Sequence, residues 1–206
     1  MVLKNFIVFE GLDGAGTTTQ IKKIAQKFPQ EKLFISAEPT SNQTGLFLRK
    51  ILKGEFSVNE KTSSFLFAAD RCEHLYGKNG ILEQISNGKV AITDRYIFSS
   101  LAYQSVTCGK ELPELLNSSF PLPEILFYFK INPEISLKRV ENRGEQKEIY
   151  EKIEFQKKTS QIYDSIMNEY SNPQKSQGMK IVTIDAEKSI EEISEIIYSY
   201  LEPLFR

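Results

Sequence analysis

Short apolar runs recur along the chain, and helical periodicity fills the intervals between them. "NFIVFE" (5–10), "KLFISAE" (32–38), "KVAITD" (89–94), "EILFYFKI" (124–131) and "MKIVTID" (179–185) are strand-length blocks rich in Ile, Val and Phe. They are nearly continuous rather than alternating, the pattern of strands buried on both faces of a parallel sheet. Helical spacing is predicted from about Thr18 to Phe28 and over 61–86, 133–142 and 150–170. A last helix opens on Ser189 and Glu192 at capping-box spacing, and sets Ile190, Ile193, Ile196, Ile197, Tyr200 and Leu201 on one face. Alternating β and α elements of this kind predict an α/β fold: a five-stranded parallel sheet flanked by helices on both faces. The polar run "GEQKE" (144–148) between two helices reads as a mobile flap. With no internal repeat or linker, residues 1–206 are expected to form one domain.

Charge narrows the function classes. Lys and Arg number 26 against 27 Asp and Glu, a net charge of −1 with no basic block, so a nucleic-acid partner is not expected. No apolar stretch approaches the ~20 residues of a membrane span, so no membrane association is expected either. Cys72 and Cys108 are the only cysteines. They make neither a disulfide framework nor a zinc spacing, which points to a reducing, cytoplasmic setting. Cys72 is read as a small packing residue, and His74, the single histidine, as a satisfied helix-surface residue without a catalytic role.

Parallel α/β sheets bind ligands beyond the carboxyl ends of their strands. Glu10 and Asp13 follow the first strand here, Glu38 follows the second, and Asp94 with Arg95 follows the third. Singly, each is an ordinary solvated strand-end charge; together with a glycine loop they point to one site. That loop, "GLDGAGTT" (11–18), matches the phosphate-loop spacing at every defined position except one: Thr17 stands where the pattern has lysine. Gly11, Gly14 and Gly16 would let backbone N–H groups turn inward around an anion, next to the positive end of the following helix. Loop residues Asp13, Ala15, Thr17, Thr18 and Thr19 complete the candidate phosphate cradle, and the Thr18 hydroxyl would sit on Mg²⁺.

Longer matches make the comparison specific. "FEGLDGAG" with "TTQ", "AEPT" (37–40), "FLFAADRCEH" (65–74), "TDRYIFSSLAYQ" (93–104) and "LKRVENRGE" (137–145) resemble the thymidylate kinase family, in its order and spacing, over about 140 residues. The resemblance implies the P-loop nucleoside monophosphate kinase fold with a short lid (about 143–150), ATP-dependent phosphorylation of dTMP to dTDP, Mg²⁺ as cofactor, and a homodimer. One departure stands out: the family's bacterial members usually read "REPGGT" where this chain has "AEPTSNQT", so the monophosphate pocket is expected to be built differently.

Residue by residue, the resemblance places the thymine ring against Phe67 and its carbonyl oxygen on Arg71, four apart on one helical face. Tyr103 matches the aromatic that crowds the sugar 2′ position, Ser99 and Gln104 match neighbours of the base and backbone, and Arg49 matches a basic residue on the monophosphate. Asp13 matches the carboxylate that bonds the sugar 3′-hydroxyl, with Glu10 close behind and Glu38 at the next strand end. Arg95 would bridge donor and acceptor phosphates, and Asp94 would organise it or a metal-bound water. Arg139 and Arg143 lead into the lid, where Arg143 and Lys147 are the candidates to carry the charge that the loop lacks. Asp185 and Ala186 fall where the family binds adenine.

Phosphoryl transfer depends on positioning and charge neutralisation, so loss of one electrostatic donor costs ~10²–10³ in rate unless something replaces it. Two readings of Thr17 follow: an active kinase whose other cations cover the charge, or a nucleotide-binding or regulatory homologue that has lost catalysis. The retained constellation favours the first. A kinase for another deoxynucleotide is a further alternative.

Overall fold

The computed structural model describes residues 1–142, 149–150 and 152–205. The chain runs β1 (Val2–Gly11), α1 (Thr17–Lys27), β2 (Leu33–Ala37), α2 (Gln43–Leu52), α3 (Glu60–Tyr76), α4 (Ile81–Ser86), β3 (Val90–Asp94) and α5 (Ile97–Cys108). It continues through α6 (Glu111–Asn117), β4 (Leu122–Lys130), α7 (Pro133–Glu141), α8 (Ile153–Tyr170), α9 (Pro173–Ser176), β5 (Lys180–Asp185) and α10 (Ile190–Leu201).

The five strands form one parallel sheet in the order β2-β3-β1-β4-β5, as the apolar runs predict. Its central strands are buried on both faces: Phe6 to Phe9, Ala91, Ile92, Leu126 and Phe127 have no exposed surface. Order and register together place the site. Phe9 pairs with Asp94, and Asp94 pairs with Ala37, so three strands end side by side. Two bonds extend this edge past the ladder, from Arg95 N to Phe9 O (2.8 Å) and from Glu38 N to Asp94 O (2.9 Å). Because β1 lies between β3 and β4, the switch of direction falls at the loop that follows it, where such sheets hold ligands.

Where pattern and structure differ, backbone conformation decides. The stretch 61–86 is two helices, because Asn79 turns into the left-handed region (φ 59°) and the chain closes tightly at Gly80, whose added Cβ would meet His74 O at 2.7 Å. Strand β1 starts earlier than predicted, across a register shift between Leu3 and Ile7 where Asn5 has φ 58°. Helices α2 and α5 are not among the stretches that periodicity singled out. The capping box at Ser189 and Glu192 is formed, and α10 buries Ile193, Ile197 and Leu201. Cys72 is exposed rather than packed.

Candidate active site

The glycine loop folds as a cradle. Gly14 (φ 86°) and Gly16 (φ 98°) take conformations that L side chains rarely adopt, and a Cβ on Gly14 would also collide with Ser136 O of α7. The Ser136 hydroxyl donates to Asp13 O, tying the loop to α7. Helix α1 begins at Thr17 with no side-chain cap, which leaves its first N–H groups for an anion.

Two cavities meet at this loop. One, about 310 Å³, is walled by Asp13, Thr18, Glu38, Arg49, Phe67, Arg71, Asp94, Arg95, Ser99, Tyr103, Gln104 and Tyr150. The other, about 290 Å³, lies between the loop and α10 and is walled by Gly14, Ala15, Gly16, Thr19, Arg139, Ala186 and Lys188. Arg139 is oriented there by donating to Ala186 O at 3.0 Å. Most of the residues singled out from sequence thus fall on two sides of one loop. Thr17 lines neither cavity, nor does Asp185, which instead accepts from Glu187 N at 3.1 Å. Arg143 and Lys147 lie outside the described residues, as does most of the lid segment.

In the first cavity, Arg71 is almost wholly buried. Its Nη2 donates to Glu38 Oε2 (2.7 Å), Tyr96 O (3.0 Å) and Ser100 Oγ (3.0 Å), and its Nη1 to Asn117 Oδ1. Glu38 also meets His74 Nδ1 at 3.0 Å, so His74 is a buried partner of the site and not a surface residue. Sequence reasoning missed His74, Ser100 and Asn117; the last comes from α6, and no local pattern connects it to Arg71. Buried Arg71 Nε and Gln104 Oε1 have no partner among the described residues.

The "AEPTSNQT" stretch is clamped by α3. Buried Asp70 accepts from Thr40 N (2.8 Å), Thr40 Oγ1 (2.6 Å) and Thr44 Oγ1 (2.6 Å). Gly45 is required because any Cβ would run into the Thr40 backbone. Arg49 lies over this loop and donates to Pro39 O.

Arg95 sits with φ 73°, a conformation non-glycine residues hold at a cost of about 1–3 kcal/mol. Its Nη2 donates to Asp13 Oδ1 (2.6 Å), its Nη1 to Ser99 Oγ (3.0 Å), and its guanidinium lies 5.1 Å from the Tyr103 ring centre. Burial disfavours its charge, but Tyr103, Asp13, Tyr163 and Asp94 outweigh that and raise its pKa above the ordinary arginine value. Tyr103 donates to the other Asp13 oxygen at 3.1 Å. The Thr18 hydroxyl donates to Asp94 Oδ2 at 2.9 Å, bringing two hard oxygen groups to one point on the wall of the first cavity.

Glu10 departs from expectation. It is completely buried beneath α5 and is absent from the cavity wall, because its carboxylate is consumed by Tyr96 N, Ser99 N, Ser99 Oγ and Tyr163 OH.

A glycine cradle at the switch point of a five-stranded parallel sheet, with a cavity on each side, is the arrangement of P-loop nucleoside monophosphate kinases. The family model for thymidylate kinase matches residues 9–197. A protein assigned as a thymidylate kinase in Treponema pallidum (strain Nichols) is 39% identical over 201 residues, covering 97% of this chain and 96% of its own. Another so assigned, in Methanocaldococcus jannaschii, is 36% identical and covers 98% of each chain. The thymidylate kinase of Leptospira borgpetersenii serovar Hardjo-bovis (strain L550) is 37% identical over 170 residues, 79% of this chain and 80% of its own. The chain belongs to the thymidylate kinase family, a family of phosphotransferases.

Proposed function

We propose that the chain transfers the γ-phosphoryl group of ATP to dTMP, giving dTDP and ADP. The observation that carries the choice of base is the cavity wall on which Phe67 lies with Arg71 and Gln104, a guanidinium donor and an amide that can accept. One donor and one acceptor complement the O4 and N3–H of thymine, beside the Phe67 face. Cytosine presents the opposite pair, an amino donor and a bare N3, so it would leave buried groups unpaired, the kind of mismatch that discriminates strongly.

In this reading Asp13 and Tyr103 bound the sugar, Arg49 and Arg95 hold the acceptor phosphate, and the loop amides with Arg139 hold ATP on the other side. Thr18 and Asp94 fit Mg²⁺, whose preference is for hard oxygen ligands and substrate phosphates. Bound there, the ion would neutralise charge on the transferring group. We read Thr17 as standing in the lysine's place, with Arg95, and Arg143 or Lys147 of the lid, covering the missing charge.

Helix α3 supports a homodimer. Its exposed Phe65 (55%), Ala69, Cys72 and Tyr76 (54%) follow the 4-3-4 spacing of a helix–helix seam. We also infer one domain over 1–206 with a lid at about 143–150, working in the cytoplasm; among the described residues no helix is long and apolar enough to cross a membrane.

The test is ADP formation with ATP and Mg²⁺, comparing dTMP, dUMP, dCMP and thymidine in wild type, Thr17→Lys and Asp94→Ala. Turnover with dTMP above dCMP, lost in Asp94→Ala, is expected. Nucleotide binding without turnover in wild type, with activity gained in Thr17→Lys, would instead establish a catalytically impaired nucleotide binder.

A further inference from the structure

Glu10 spends its whole carboxylate on one helix end. Oε1 accepts from Tyr96 N (2.8 Å) and Ser99 N (3.0 Å), and Oε2 accepts from Ser99 Oγ (2.6 Å) and from Tyr163 OH (2.8 Å) of α8. Tyr96 is the N-cap of α5 and offers no side-chain cap, so a residue of β1 satisfies the cap and third-residue amides from across the sheet. One carboxylate therefore ties the start of α5 to the end of β1, from which the phosphate loop leaves.

The consequence reaches Arg95 through a single proton. Ser99 has one hydroxyl hydrogen, and at 2.6 Å an ionised Glu10 takes it. The Ser99 lone pairs then remain for Arg95 Nη1, at 3.0 Å. Asp13 holds the other end of the same guanidinium. We propose that Glu10 is a positioning residue for phosphoryl transfer: acting through Ser99, it reserves the acceptor that holds the Arg95 guanidinium against the phosphate loop. The proposal rests on the reading of Arg95 as the group that bridges the phosphates.

Protonation weakens this arrangement. A neutral Glu10 carries a proton of its own on the oxygen that faces Ser99 Oγ and Tyr163 OH. Donating it takes one of the two Ser99 lone pairs and turns the Ser99 hydrogen away, toward Tyr163 OH at 3.0 Å, so Arg95 keeps one lone pair of a hydroxyl that a carboxylate no longer polarises. Burial lifts the Glu10 carboxyl to about 7, against the opposing pull of Ser99, Arg95, Tyr163 and the Tyr96 amide. The charged and titratable groups nearby are Arg95 before α5, Asp13 of the loop that pairs with it, Asp94 at the end of β3, Tyr128 of β4, in register with Glu10 and stacked on Tyr163, Tyr163 of α8, and Tyr103 of α5, which reaches Asp13. All three tyrosines are raised above their ordinary pKa, by burial first, and stay neutral through this range.

The experiment is steady-state kinetics of wild type, Glu10→Gln, Ser99→Ala, the double variant and Arg95→Ala, from about pH 6 to about pH 9. Glutamine keeps the two amide bonds but points an N–H at Ser99. The proposal expects kcat to fall about tenfold in Glu10→Gln with KM for dTMP within about twofold of wild type. Ser99→Ala should lose a similar factor, and the double variant no more than the poorer single, since both cut one relay. Wild type should lose kcat below about pH 7, and Glu10→Gln should lack that limb. Wild-type kcat in Glu10→Gln, or losses that multiply in the double variant, would overturn the proposal while Arg95→Ala stays slow. An unimpaired Arg95→Ala would remove the underlying reading of Arg95, and the proposal with it. Thermal melts identify any variant that fails to fold, and Ser99→Ala then decides alone.

Discussion

Arg71 and Glu38 form an ion pair of 2.7 Å in which the side chains are 1% and 4% exposed. At that depth two charges are tolerable only with hydrogen-bond partners, and His74, Ser100, Asn117 and the Tyr96 carbonyl supply them to the carboxylate and to both guanidinium Nη atoms. Glu38→Ala leaves a guanidinium buried without its counter-charge, and is expected to cost about 3–5 kcal/mol. Glu38→Gln keeps an acceptor and should lose less. Urea unfolding of both variants measures this; equal and small losses would mean that the pair contributes little.

Phe67 lies one helical turn from Arg71 on the same cavity wall. A stacked base is worth about 1–3 kcal/mol to an aromatic ring, so Phe67→Ala should raise KM for dTMP about tenfold or more. KM for ATP should not change, since Phe67 is absent from the wall of the second cavity. Parallel rises in both constants would count against a base-stacking role.

Much of this site is legible because it sits at strand ends. Strand blocks, loop glycines and the residues just past them are local signals, and parallel pairing brings the ends of β1, β2 and β3 to one edge. Asp94 and Arg95 are therefore placed beside the loop by sequence alone. What resisted reading was the second layer. Asp70 clamping Thr40 and Thr44, and Asn117 receiving Arg71, join residues from different helices with no shared periodicity. Glu10 misled for a related reason. The register places it at the edge, but whether a strand-end side chain faces the ligand or the layer beneath depends on which side α5 packs.

The left-handed backbone at Arg95 separates strain from function. Glycine adopts φ 73° freely and alanine does not, so Arg95→Gly should be more stable than Arg95→Ala by about 1 kcal/mol. Both lack the guanidinium and should be slowed alike, by about 10²-fold or more. Thermal denaturation paired with kcat tests the two halves independently. Equal stabilities would show that the conformation relaxes once the ion pair with Asp13 is gone.

The raised carboxyl of Glu10 predicts a stability profile opposite to that of a salt-bridged acid. Burial holds the folded-state pKa at about 7, whereas the unfolded chain ionises near its ordinary value of 4.5. Between those two pH values the folded state keeps a proton that the unfolded state has released, so unfolding free energy falls as pH rises. The group's contribution is fully present below pH 4.5, is lost as pH climbs through about 7, and is level above that. The whole change is on the order of 3 kcal/mol. Glutamine at this position does not titrate. The wild-type unfolding free energy minus that of Glu10→Gln should therefore be more favourable at pH 5 than at pH 8, by urea titration at both values. A difference that is flat with pH would place the folded-state pKa near the ordinary one and remove the acid limb expected in turnover. A difference of the predicted sign has a functional reading. In the proposed relay the form that directs Ser99 toward Arg95 is the ionised one, so the fold would give up stability above about pH 7 to hold a buried negative charge beneath its candidate active site.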